Sequence, residues 1–227
     1  MARLARIVIP DTPHHVTQRG NGRARTFFSA RDYELYLDLL ATHCRAADVG
    51  VWAWVLMPNH VHLILTPRDE DGIRRALSKV HRAYAGHVHA RQKRTGHFWQ
   101  GRFGCVAMDE EHLGAALRYV ALNPVRARRV KRAEDWRWSS VHAQPGLVRD
   151  DGVTDTGPVR ARWPDFAALI EPGGGETEEG AAMFNALRRA ETIGRPVGGA
   201  AFMDRLERLT GRTLKPAKRG PKPKKSR

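Results

Sequence analysis

Cysteine is almost missing from this chain: Cys44 and Cys105 are the only two in 227 residues. They lie far apart with no Cys-x-x-Cys spacing, which argues against both a disulfide framework and a thiolate zinc site; two reduced thiols are expected. Long hydrophobic runs are missing too. None approaches the roughly 18 residues of a membrane span, and Met1-Ala2-Arg3-Leu4-Ala5-Arg6 leads into no apolar signal segment. A soluble protein of the cell interior with no membrane partner is expected. Acid is scarce relative to base, with 24 Asp and Glu against 39 Lys and Arg, and the resulting +15 points to a polyanionic partner. At 41% hydrophobic content the chain has material for one good core plus an appendage.

The most informative stretch is Leu56-Met57-Pro58-Asn59-His60-Val61-His62-Leu63-Ile64-Leu65. Side chains alternate faces along a strand, so His60 and His62 point one way while Val61, Leu63 and Leu65 point the other, into a core. Val51 to Leu56 is a second strand-like run, and Met57-Pro58-Asn59 has turn chemistry, which predicts a hairpin. Two neutral imidazoles on one strand face can share a divalent cation and leave an edge open for substrate oxygens. A lone His-x-His is more often an ordinary pair of strand histidines, so the rest of the chain decides. His87 and His89 repeat the spacing on an expected helix, Ile73 to Gln92, where two residues turn about 200° and the rings diverge.

Upstream, Pro13 to Gly20 reads as a short strand ending in Gly20-Asn21-Gly22-Arg23, a glycine turn able to approach a phosphate. Ser29 with Asp32 suits the start of a helix carrying Leu35, Leu39 and Leu40 and running to about Ala47. His97 to Met108 is aromatic and β-like with a bend. Asp109, Glu110 and Glu111 open a third helix through Leu113, Leu117, Val120 and Ala121, expected to stop at Pro124. On it Tyr119 and Asn123 are one turn apart on the same side. Trp99, Trp136 and Trp138 suit either base stacking or the core. From about Gln144 to Gly180 the composition turns to Gly, Pro and acids, which reads as a linker with an amphipathic piece from Trp163 to Ile170. Two helices are expected at Ala181 to Glu191 and Ala200 to Leu209. Residues 212–227 hold eight bases and no acid, a disordered electrostatic arm.

Met57-Pro58-Asn59-His60-Val61-His62-Leu63, Phe98-Trp99-Gln100-Gly101 and Arg118-Tyr119-Val120-Ala121-Leu122-Asn123-Pro124-Val125-Arg126-Ala127 resemble the REP-associated tyrosine transposases, bacterial relatives of the single-tyrosine HUH transposases. The resemblance implies an α/β (α+β) fold: a ferredoxin-like antiparallel sheet with helices on one face, a C-terminal helical extension and a basic tail. It divides the chain into a transposase domain at 1–143, a linker at 144–180, a helical segment at 181–211 and the tail at 212–227. It implies Tyr119 as nucleophile, His60, His62 and Asn123 as ligands of Mg²⁺ or Mn²⁺, and cleavage of single-stranded DNA beside hairpins through a 5′-phosphotyrosine. DNA contacts are expected from Arg19, Arg23 and Arg102, from Arg126, Arg128 and Arg129, and from Lys218, Arg219 and Lys222 in the arm. A monomer or homodimer in the bacterial cytoplasm, associated with the nucleoid, goes with this reading. The alternative is a domesticated hairpin-binding protein that no longer cleaves. A two-histidine phosphoesterase fits poorly, because His15-Val16-Thr17 supplies one His-x-Thr where that chemistry needs two.

Overall fold

Two opposed sets of apolar side chains on four short strands organise the computed structural model of this chain, which describes residues 6–144, 150–171, 182–183, 185–187, 189–190 and 194–214. The elements follow as β1 (His14–Arg19), α1 (Ala30–Ala46), β2 (Val49–Met57), β3 (His60–Pro67), α2 (Gly72–Gln92), β4 (Gly104–Ala107) and α3 (Glu110–Arg126). The strands lie in the order β2-β3-β1-β4. Every pairing is antiparallel, the ferredoxin-like arrangement. Met57 pairs with His60 across the two-residue turn Pro58-Asn59, so β3 begins on the first histidine of the pair.

One sheet face buries Val16, Leu56, Val61, Leu63 and Leu65 beneath α1 and α2. The other buries Ala53, Val55, Ile64 and Val106 beneath α3. The helix pair α1 and α2 covers one face, but the helix that carries Tyr119 is laid against the opposite face, so the helices are not confined to one face as expected. Asp109 caps α3 by accepting from the His112 N–H at 3.0 Å. Ser29 and Asp32 form the capping box of α1. The buried stripe of α1 is Tyr33, Tyr36, Leu40 and Cys44, whereas Leu35 and Leu39 are only partly buried. Aromatic bulk, which the aliphatic pattern overlooks, selects the inward face.

Four further expectations are corrected. Pro124 does not stop α3, which continues to Arg126. Proline forfeits one N–H and crowds the carbonyl four residues back, but this near the end the turn closes through Ala127 N–H to Asn123 O at 3.0 Å and Arg129 N–H to Pro124 O at 2.9 Å. The strand expected over His97 to Met108 is confined to Gly104–Ala107, since Gly101 at φ 72° turns the chain before it. The acidic stretch holds its expected amphipathic piece as α5 (Phe166–Ile170) but adds a second helix, α4 (Gly157–Arg162), and Val159, Phe166 and Ile170 join the buried cluster that contains Leu113 and Leu117 of α3. Finally, Leu214 is 2% exposed among Ile7, Ile9 and Leu206, so the first residues of the expected arm are packed.

Residues 182–190 are helical where described, with Leu187 and Ala190 buried. Before α6 (Ala200–Thr210), the Val197 N–H donates to Ala107 O at 2.9 Å, covering the free edge beside β4. Among the described residues no helix is long and apolar enough to cross a membrane. Lys218, Arg219 and Lys222 lie outside the described residues.

Candidate active site

The register of β1 on β3 sets Thr17 opposite His62 and Arg19 opposite His60. Residues opposite one another share a face, so His15, Thr17, Arg19, His60 and His62 all look toward α3. That helix brings Tyr119 edge-on to His62, with ring centroids 5.0 Å apart and planes at 90°, and edge-on to His15 at 6.0 Å. The His60 and His62 rings are themselves 5.1 Å apart and perpendicular. Two sequence-distant elements therefore deliver a phenol to a pair of imidazoles.

Each imidazole has a neighbour at its Nδ1. His60 Nδ1 is 2.6 Å from Asn59 Oδ1, and the Asn59 amide is itself oriented by donating to Arg23 O at 3.0 Å. His62 Nδ1 is 3.0 Å from His15 Nε2, and those two rings stack with planes 10° apart. His62 Nε2 is buried without a hydrogen-bond partner. Burial, and then the charges of His15, His60 and Arg19, hold the His62 pKa well below the usual imidazole range, so the ring is neutral. A buried, neutral imidazole nitrogen with no hydrogen-bond partner could serve as a metal ligand.

Asn123 lies one turn beyond Tyr119 and is 6% exposed. The C-cap of α3 is Ala127, which places Asn123 inside the helix and not at its end. Among the described residues no group of three or more His, Cys, Asp or Glu gathers to hold a metal ion. A cation at this site would take two imidazoles and complete its shell with neutral oxygens or substrate phosphate.

Around this centre, Arg19 is half-buried beside the pair, and the Arg126 guanidinium is 5.8 Å from the Tyr119 ring. Arg128 and Arg129 are exposed just past α3, as is Arg102 in the loop before β4. The exposed Arg23, at φ 62°, belongs to the glycine turn whose carbonyl anchors Asn59. Gly20 starts that turn under constraint, since a Cβ there would meet Ala24 O at 2.3 Å. Three tryptophans are half-buried and tied into the fold: Trp99 donates to His81 O at 3.0 Å, Trp136 to Leu56 O at 3.2 Å, and Trp138 stacks on Tyr33 at 4.5 Å. His87 and His89 diverge as expected, His87 exposed and His89 against Phe98 at 5.4 Å. Sequence reasoning overlooked His15 and Asn59 as site neighbours. The one available signal was strand parity, which puts His15 on the face of Thr17 and Arg19.

Residues 11–123 match the family described as "Transposase IS200 like". No curated protein matches the sequence. Among solved structures, the fold is similar to that of a REP-associated tyrosine transposase bound to a REP hairpin, with a TM-score of 0.57 and 22% identity, covering 69% of this chain and 93% of that one. The family match begins before β1 and ends on Asn123, so it takes in both strands of the histidine cluster and the helical turn of Tyr119: the chain belongs to the IS200-like transposase family.

Proposed function

We propose that this transposase cuts and rejoins single-stranded DNA beside hairpins, with Tyr119 as the nucleophile. The observation that carries the proposal is the Tyr119 ring set edge-on at 5.0 Å from His62, on the sheet face that also presents His60. Mg²⁺ or Mn²⁺ held by His60, His62 and the Asn123 amide would supply Lewis-acid stabilisation of the charge that builds on the phosphate oxygens. Nitrogen ligands favour Mn²⁺ of the two. Tyr119 Oη attacks phosphorus in line as its proton is removed. The Oη–P bond forms, the P–O3′ bond breaks, and the 3′ oxygen leaves as a hydroxyl after taking up a proton. A 5′-phosphotyrosine remains, and because a phenolate is a good leaving group, attack by another 3′-hydroxyl rejoins the strand.

One tyrosine handles one strand at a time, which suits single-stranded substrate. The similar structure holds a REP hairpin, which supports a hairpin as the recognised feature here. Arg126, Arg128 and Arg129 at the end of α3, together with Arg19, Arg23 and Arg102, supply phosphate contacts around the nucleophile. Lys218, Arg219 and Lys222 add charge from the arm.

Labelled single-stranded DNA with a hairpin and flanking arms tests this. A covalent adduct is expected in Mg²⁺ or Mn²⁺, absent with EDTA and absent for Tyr119→Phe, which keeps the ring and its packing. His60→Ala and His62→Ala are expected to abolish cleavage and leave hairpin affinity within a few-fold. An adduct with Tyr119→Phe moves the nucleophile elsewhere; hairpin binding with no adduct under any metal leaves the binding-only alternative.

A further inference from the structure

A metal-binding imidazole must offer a bare nitrogen, and a neutral ring has only one. Which nitrogen is bare is decided by the hydrogen bond made at the other. His60 has its answer in the turn that precedes it. The Asn59 side-chain nitrogen donates to Arg23 O at 3.0 Å, which turns Oδ1 toward His60 Nδ1 at 2.6 Å. An amide oxygen only accepts, so Nδ1 of His60 carries a proton, and in the neutral ring Nε2 is then the ligating nitrogen.

For His62 the hydrogen-bond partner lies across the sheet. One proton lies between His62 Nδ1 and His15 Nε2, which are 3.0 Å apart. If His62 Nδ1 donates, its Nε2 is bare; if His15 Nε2 donates, His62 Nε2 carries a proton and cannot ligate. The contact is buried, the rings are held 10° from parallel, and the β1–β3 register fixes His15 diagonally across from His62. The two device residues come from different places, one in the hairpin turn and one on the adjacent strand, yet both end at an Nδ1.

We propose that Asn59 and His15 are positioning residues that lock His60 and His62 as Nδ1–H tautomers, so that both Nε2 atoms face a divalent cation. The purpose of the lock rests on the metal reading above; the lock itself does not. The carbonyl of Arg23 then ties the glycine turn to the ligand pair through Asn59. A phosphate drawn to that turn would be drawn to a loop already coupled to His60.

Long-range ¹H–¹⁵N correlation on the metal-free full chain reads the tautomers directly. His60 and His62 are expected as Nδ1–H forms, and a protonated Nε2 on His62 overturns the proposal. A second arm measures Mn²⁺ affinity by the paramagnetic resonance of free Mn²⁺, with circular dichroism and melting as fold controls. His15→Gln keeps an acceptor oxygen for His62 and is expected to bind Mn²⁺ within a few-fold of the original. His15→Leu keeps bulk without an acceptor and is expected to lose about ten- to a hundred-fold. Asn59→Asp against Asn59→Ala repeats the comparison for His60. Equal affinity for the folded Leu and Gln variants overturns the role of His15. If the unsubstituted protein binds no Mn²⁺, the metal reading has failed, and the tautomers of the metal-free protein still decide the lock.

Discussion

Asn123 is the weakest donor of the proposed metal set, since an amide oxygen binds less strongly than an imidazole. It is buried four residues before the Ala127 C-cap, so the capping role that an asparagine near a helix end suggests falls to another residue. If its oxygen completes the metal shell, Asn123→Ala weakens metal binding and excess Mn²⁺ recovers part of the cleavage rate. Asn123→Gln keeps the amide and retains appreciable cleavage. A purely structural role predicts a stability loss on the order of 1 kcal/mol with metal dependence unchanged. Mn²⁺ titrations of cleavage rate for the three proteins separate these, and three equal half-saturation points would remove Asn123 from the shell. The shared face of His60 and His62 was legible because strand alternation is a local rule, and the one-turn spacing of Tyr119 and Asn123 because i,i+4 is another. His15 was not legible, because its contact with His62 spans 47 residues and exists only through the register of two strands. Asn59 was legible as a turn residue, and its second employment, on His60 Nδ1, is a matter of side-chain direction that turn chemistry does not specify.

At the scale of elements, the capping box at Ser29 was readable from three residues, but the load on Asp32 was not. Its side chain is 1% exposed and lies in a bidentate pair with Arg91, near the far end of α2. Burial pushes its pKa up, yet the bonds from Arg91 and from the Phe28 and Ser29 N–H groups prevail and hold the carboxyl below the usual range. One carboxylate therefore starts α1 and joins it to α2. Asp32→Ala removes a cap worth about 1 kcal/mol and strands N–H groups at the helix start. The Arg91 side chain is 38% exposed, so its pairing is discounted for solvent. A total loss of about 2 kcal/mol in urea unfolding is expected, with the adduct yield of folded protein unchanged. A drop in adduct without a drop in stability would place Asp32 in DNA handling instead. The departures have different causes: the helix through Pro124 closes by its own backbone bonds, whereas Val159 of α4 joins the buried cluster of α3 in spite of a local composition that reads as linker.

For the whole molecule, strand order came from the resemblance and not from periodicity, which predicts strands but not their neighbours. Charge was legible from composition, and its placement divides into two parts. Seven of the bases fall in residues 215–227, past the packed Leu214. Deleting 215–227 is expected to leave the melting temperature nearly unchanged and to flatten the salt dependence of hairpin binding, while cleavage at saturating DNA persists; a large fall in melting temperature would show that the arm packs. The second whole-molecule property is acid sensitivity, which comes from histidines folded in as neutral rings. His14 accepts from the Ile9 N–H at 3.1 Å and is bonded to Thr12 O at 2.7 Å, and its burial pushes the pKa down to about 4. His81 lies 3.1 Å from the Tyr36 hydroxyl, and burial, with the Arg6 charge, pushes it down to about 3. The unfolded chain protonates such rings near pH 6.5, whereas the folded chain waits until pH 4 or lower, so the unfolded state binds more protons throughout that interval and stability falls as pH falls. Each ring contributes about 2 kcal/mol of loss between pH 6.5 and 5. Asp32 and Asp109 titrate below this window and do not oppose it. Urea midpoints at pH 7 and pH 5 are expected to differ strongly for the metal-free protein. His81→Gln can still accept from Tyr36 but cannot titrate, and should shrink the difference by about one ring's share. An unchanged difference would mean that His81 takes up its proton equally well folded and unfolded.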